Sequence, residues 1–218
     1  DPHLFEQTNH WGTAELVYAI EQSNVKKFVY ISRTSVYGAS DEIIDITTTP
    51  NPKTFYGASK LRGGEHVQRL FNKIDAYILR CGNVYGYSPS VRFDAVINRF
   101  MFEANFIGKI QVSGNGEQYR AFIHVDKVVD VLQNLITKKL ASGIYNLVDI
   151  NLSINQITDS VKEIYPNLEM IYINQHLNLR QLKVERDKRL KHLETLPIKT
   201  FKEELVSFKD KFAFSSFD

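Results

Sequence analysis

Short apolar runs alternate with amphipathic stretches along nearly the whole chain, and this alternation constrains the fold more than any other feature. Phe28-Val29-Tyr30-Ile31 is a run of aromatic and β-branched residues with no polar break, the pattern of a strand buried on both faces. Asp75–Arg80, Gly143–Val148 and Met170–Ile173 read as further strands, and Gln111–Ser113 as one running into the tight turn Gly114-Asn115-Gly116. Between them lie helical patterns. Residues 5–22 carry Leu16, Val17 and Ile20 on one stripe, and about Thr54 to Phe71 keeps Leu61, Val67, Leu70 and Phe71 in helical step. Residues 92–107, Asp126–Thr137 and Phe201–Phe208 follow the same period, and a further helix opens at Ser153. Gln156 stands three residues after Ser153, a capping-box spacing. Residues 39–53, with Pro50 and Pro52, read as a loop. Strands alternating with helices predict an α/β protein with a mainly parallel sheet, since parallel neighbours need the crossover that a helix provides.

Composition narrows the partners. The chain has 218 residues, 43% of them hydrophobic, enough for a packed core. Its 27 basic and 25 acidic residues leave a formal charge of +2, too little field to predict a nucleic-acid partner. No apolar stretch approaches the roughly 20 residues of a membrane helix, so no membrane partner is predicted. Cys81 is the only cysteine, which removes disulfides and cysteine-based zinc sites within one chain, and the histidines lack metal-ligand spacing. No metal site is expected, and a reducing, cytoplasmic setting is.

The chemistry concentrates in Tyr56-Gly57-Ala58-Ser59-Lys60. Tyr56 and Lys60 are four residues apart and share one helix face. A free tyrosine titrates near a pH of about 10, too high for a base at neutrality, and a nearby ammonium favours its phenolate. The pair is a proton-transfer device for a sugar or alcohol hydroxyl. Alone the pattern is unspecific; its surroundings make it specific. Before it comes Ser32-Arg33-Thr34-Ser35-Val36-Tyr37-Gly38 and a proline-containing loop. After it come Leu79-Arg80-Cys81-Gly82-Asn83-Val84-Tyr85-Gly86, then Gly114–Asp126 with Arg120 inside, then Tyr145-Asn146-Leu147 ahead of Ser153-Ile154. Over about residues 9 to 205 this ordered set resembles the extended short-chain dehydrogenase/reductase family, in particular the NAD-dependent epimerases and dehydratases of nucleotide sugars.

The resemblance implies a Rossmann-like parallel sheet, from residues 1–86 and 121–148, and a small α+β substrate-binding lobe from 87–120 and 149–218. It implies Tyr56 as catalytic base and acid, and Lys60 as the holder of its phenolate and of the nicotinamide ribose. Cys81, Asn83 and Val84 would pass close to the cofactor, NAD or NADP. Asn83, Arg120 and Arg180 would bind the diphosphate of a nucleotide-diphosphate sugar. Asn9 and Gly12 would lie near the cofactor, and the helices at 5–22 and 54–72 would build a homodimer through a four-helix bundle. The implied activity is that of a 4-epimerase moving a hydride to and from the cofactor. The alternatives are an NADPH-dependent 4-keto nucleotide-sugar reductase and a catalytically silent nucleotide-binding or scaffold member.

Two departures from the family pattern matter. The hydroxyl that completes its serine/threonine–tyrosine–lysine set belongs at position 33, which holds Arg33. A one-residue bulge would bring Thr34 or Ser32 there instead; otherwise the site lacks its hydroxyl donor. Thr34-Ser35 in place of an Asp-Glu pair argues against 4,6-dehydratase chemistry. Secondly, no three glycines show the spacing of a dinucleotide-binding loop. Asp1-Pro2 is an unusual opening, and residue 1 matches a point just before the family's fourth helix. About three βα units, roughly 90 residues at ~30 each, are expected to lie outside this sequence, and residues 1–218 alone are expected to bind NAD weakly. His124 and Cys81 read as packed core groups, Lys183–Lys191 as a solvated basic helix face, and Asp126 and Asp130 as helix-start charges.

Overall fold

The computed structural model describes residues 1–177 and 179–212. Three parallel strands form its centre: β1 (Lys27–Arg33), β3 (Asp75–Cys81) and β7 (Gly143–Leu147), in the order β1-β3-β7. Register runs from Lys27 opposite Asp75 to Arg33 opposite Cys81, and from Tyr77 opposite Gly143 to Cys81 opposite Leu147. Among the described residues β1 pairs with β3 alone, so its other edge has no strand partner.

Helices cover both faces of β3, which is why it reads as an unbroken apolar run. Ala76 and Ile78 face one side, where Val17 and Ile20 of α2 (Gly12–Glu21) and Val67 of α3 (Phe55–Gln68) meet Tyr30 and Leu70. Tyr77, Leu79 and Cys81 face the other, against Val131 and Leu135 of α5 (Val125–Thr137), Tyr145, Leu147, Leu190 and Leu193. A second core lies in a lobe beyond the ends of the strands. There Ile97, Phe100 and Met101 of α4 (Val96–Phe106) pack on Ile110 and Val112 of β5 (Lys109–Ser113), Ile157 and Val161 of α6 (Ile154–Ile164), and Leu205 and Phe208 of α7 (Phe201–Lys209). β5 pairs in parallel with β9 (Glu169–Ile173). A mixed three-stranded sheet joins the two parts: β4 (Asn83–Tyr85) runs parallel to β6 (Tyr119–His124), and β8 (Ile150–Ser153) antiparallel to it.

The expected helix over 5–22 forms, but it starts earlier and is not uniform. Asp1 caps α1 (Pro2–Phe5) by accepting from the His3 amide at 2.9 Å. A π-helical turn then spans Glu6–Trp11 before α2 resumes the ordinary period. Inside this wider turn the Asn9 carbonyl accepts from the Thr13 hydroxyl at 2.9 Å and from the Tyr30 hydroxyl at 3.4 Å. The Asn9 side chain donates to the Ser59 hydroxyl at 3.2 Å, tying the turn to α3. Thr54 caps α3 through the Gly57 amide at 3.0 Å, and the capping box at Ser153 and Gln156 forms as read.

Four readings need correction. Residues 39–53 are not loop throughout: β2 (Ile43–Ile44) pairs in parallel with β10 (Lys183–Val184). The stretch Lys183–Lys191 is therefore no helix face. Its strand leads to buried Asp187, which caps the 3₁₀ turn Lys188–Leu193. The helix expected over 92–107 begins at Val96, after Arg92 and Asp94 have closed on each other. Asp130 is no helix-start charge: α5 buries it mid-helix, where its carboxylate accepts from the Thr195 amide and hydroxyl, both at 2.6 Å, and from the Leu196 amide at 3.1 Å. Burial opposes ionisation there, and these hydrogen bonds outweigh it, holding the group below the usual aspartate range.

Candidate active site

Helix α3 crosses the end of β1 and carries Tyr56 and Lys60 on one face. The Lys60 ammonium donates to the Ile31 carbonyl at 2.9 Å and lies 4.8 Å from the centre of the Tyr30 ring. Burial pulls its pKa down, and the positive charge of Arg33 adds to the effect. Tyr56 is half-buried, its ring edge-on to Phe5 at 5.4 Å. Its hydroxyl has no hydrogen-bond partner among the described residues. The helix approaches this closely because Gly63 has no side chain: a Cβ there would stand 2.2 Å from the Asn9 carbonyl oxygen.

A cleft opens beyond the carboxyl ends of the strands. One part, of ≈ 430 Å³, has Arg33, Asn83, Val84, Arg92, Gln118 and Arg120 in its wall. The adjoining part, of ≈ 180 Å³, shares Arg33, Asn83 and Arg120 and adds Thr34, Ser35, Lys53 and Arg180. Carbonyl groups aim the arginines. Arg120 donates to the Tyr119 carbonyl at 2.9 Å and to that of Arg180, and Arg180 to the Lys53 carbonyl at 3.5 Å. Burial lowers the pKa of Arg120, which remains a cation at neutral pH. Among the described residues, Arg33, Arg120 and Arg180 have no carboxylate partner. Only Arg92 is ion-paired within these walls, to Asp94.

The expected residues thus divide. Asn83, Val84, Arg120, Arg180, Thr34 and the intruding Arg33 are brought to one cleft. Tyr56 and Lys60 stand beside it, outside the wall of either cavity, within electrostatic reach of Arg92 and Arg33 respectively. Ser32 is buried and forms no part of these walls, and Cys81 is fully buried, its thiol pushed up to about 12 by that burial. His124 is the core group it was read as: its ring nitrogen accepts from the Asp126 amide at 3.2 Å and caps α5. Lys53, Arg92 and Gln118 had no sequence signal. Gln118 is 8% exposed, and its side-chain oxygen is buried without a partner among the described residues.

A parallel sheet covered on both faces, with its polar cleft beyond the carboxyl ends of the strands, defines a Rossmann-type α/β protein. The chain belongs to the NAD dependent epimerase/dehydratase family, whose model matches residues 1–147. A dTDP-D-glucose 4,6-dehydratase of Mus musculus is 33% identical over 146 residues, which is 66% of this chain and 41% of that protein. The chain therefore spans about two fifths of that relative's length. The UDP-glucuronic acid 4-epimerase from Bacillus cereus, solved in complex with NAD, is similar with a TM-score of 0.78 at 25% identity, covering 93% of this chain and 64% of that one. RMD from Pseudomonas aeruginosa, complexed with NADPH, shares the fold with a TM-score of 0.83 at 22% identity, covering 96% of this chain and 74% of that one.

Proposed function

We propose that this chain carries the proton-transfer and substrate-binding side of an NAD(P)-dependent nucleotide-sugar epimerase of the 4-epimerase kind. One observation carries the reading: a tyrosine with a free hydroxyl and a lysine anchored on the last turn of β1 stand beside a cleft holding three arginines without counter-ions. That charge suits a diphosphate. Arg120 and Arg180 hold it with planar forks, and Asn83 adds an amide. Residues 1–86 and 121–148 then form the cofactor side, and 87–120 with 149–218 the substrate lobe.

The residues present fit the nicotinamide end of the cofactor: Lys60 offers an ammonium at the strand end, and the side chain of Ile31 is 38% exposed beside it. Bound there, the cofactor supplies a hydride acceptor. Tyr56 takes the proton of the sugar hydroxyl as the hydride leaves and returns it on the way back. Lys60, anchored on the Ile31 carbonyl, would hold the nicotinamide ribose. Trp11 and Tyr18, one heptad apart, are large and exposed along the first helices, and Phe55 is exposed at the start of α3, which supports a homodimer through these helices.

Tyr56→Phe removes the base and leaves the ring. In the full-length protein, with UDP- and dTDP-hexoses and NAD, turnover followed by NMR is expected to fall on the order of 10²–10⁴-fold; undiminished turnover in the variant refutes the assignment. Consumption of added NADPH in the same assay selects the reductase alternative. The second reading, a catalytically silent nucleotide-sugar binder, is favoured by Arg33 standing where the family's hydroxyl belongs. Nucleotide-sugar binding without turnover in the wild-type chain, with turnover appearing in Arg33→Ser, selects that reading.

A further inference from the structure

Arg33 ends β1 at the junction of the two cavities, and among the described residues no carboxylate neutralises it. It spends one donor, on the Asn83 side-chain oxygen at 3.0 Å. The Asn83 amide nitrogen donates to the Ala121 carbonyl at 3.1 Å, which fixes that oxygen toward Arg33. The guanidinium is half-buried, and its charge is felt by the Lys60 ammonium and the Cys81 thiol. Arg33 thus lies within electrostatic reach of Lys60 and shares the cleft walls with Arg120, at the place where the proposed function puts the sugar ring.

The chemistry of the position has changed accordingly. A serine or threonine hydroxyl both donates and accepts, whereas a guanidinium only donates and is always charged. Four of its five N–H groups remain unspent. A neutral hydroxyl would leave the half-buried charge unmatched, and a planar carboxylate would meet it with two parallel hydrogen bonds. We propose that Arg33 is a specificity-determining residue that selects a sugar bearing a carboxylate, so that the preferred substrate class is a nucleoside-diphosphate uronic acid. The assignment rests on the reading of this cleft as a nucleotide-sugar site.

Calorimetric titration of the full chain tests it. The probes are UDP, dTDP, UDP-glucose and UDP-glucuronate, against wild type, Arg33→Ser and Arg33→Lys, each checked for a cooperative thermal transition. Wild type is expected to bind UDP-glucuronate about tenfold or more tighter than UDP-glucose, the scale of one charge-assisted hydrogen-bond pair. Arg33→Ser is expected to erase that preference with little change in UDP affinity, and Arg33→Lys, which keeps the charge without the fork, to retain part of it. Equal affinity of wild type for the two sugars overturns the proposal, as does a preference that survives in Arg33→Ser. Loss of UDP affinity in Arg33→Ser by the same factor as loss of uronate affinity overturns it too, placing Arg33 on the diphosphate. Absence of binding by UDP and dTDP alike removes the nucleotide-sugar reading itself; nucleotide binding without a uronate preference removes only the role of Arg33.

Discussion

Gly63 and Gly64 are neighbours in α3, and alanine at the two positions is expected to act in opposite directions. A Cβ at Gly63 would stand 2.2 Å from the Asn9 carbonyl oxygen and 2.4 Å from the Tyr30 hydroxyl. Both are fixed, the carbonyl by the π-helical turn and by Thr13, the hydroxyl by its place in the core. One helix must move by roughly an ångström, and overpacking of this kind costs about 1–3 kcal/mol. The gain in helix propensity returns about 0.5–1 kcal/mol. Gly63→Ala should therefore lose up to about 2.5 kcal/mol net, a fall in Tm of up to roughly 10 °C at ~2–4 °C per kcal/mol for a chain of this size. At Gly64 the nearest atom to a new Cβ is Ile78 Cδ1 at 3.7 Å, an ordinary contact. Gly64→Ala keeps the propensity gain and should stabilise by about 0.5–1 kcal/mol. Urea unfolding of the two variants beside wild type, followed by circular dichroism, reads both. Gly63→Ala more stable than wild type, or a shift of the same sign at both positions, refutes the close-approach argument.

Two further outcomes follow from the buried polar groups. Asp130→Ala leaves the Thr195 and Leu196 amides without their carboxylate and should cost about 1–2 kcal/mol in the same unfolding assay, toward the low end for orphaned donors because both residues are exposed and water replaces part of the bond; a loss below about 0.5 kcal/mol contradicts the role given to these bonds. Acid should weaken the fold in two stages. Burial lowers the pKa of His124 despite Glu204 and Asp126, so below the ordinary histidine range the unfolded chain takes up its proton first and stability falls. Asp130, whose folded pKa lies below the ordinary aspartate range, contributes stability that is lost as pH falls further through that lower value. His124→Asn, which keeps a capping side chain on α5, should flatten the upper stage in a pH series of urea midpoints; an unchanged slope there assigns it to other groups.

What could be read in the sequence is what repeats with a period or caps an end. β1, β3, α3 and α6 announce themselves by apolar runs, by helical spacing, and by Thr54, Ser153 and Gln156. β2, β10 and β4 have two or three residues each, too few to show a period, and their partners lie far along the chain, as with Ile43 and Lys183. The π-helical turn leaves no mark because two of the partners of Asn9, Tyr30 and Ser59, lie far along the chain. At the site, Tyr56 and Lys60 were legible as a spaced pair and Arg120 through its motif. The anchor of Lys60 was not, because it is a main-chain carbonyl, and Asp130 read as a helix-start charge because its partners come from residues 195 and 196.

The open edge of β1 has a consequence for handling the chain. Among the described residues no strand covers this edge between Lys27 and Arg33, and apart from the Ile31 carbonyl held by Lys60 its amide and carbonyl groups lie beside Phe28, Val29 and Tyr30, a composition that welcomes an added strand from any chain in extended form. The cations at its two ends act as gatekeepers against self-association. Arg33→Ser removes one of them, so the variant made to ask about the sugar also lowers a barrier to aggregation. Light scattering across a concentration series belongs beside its titrations.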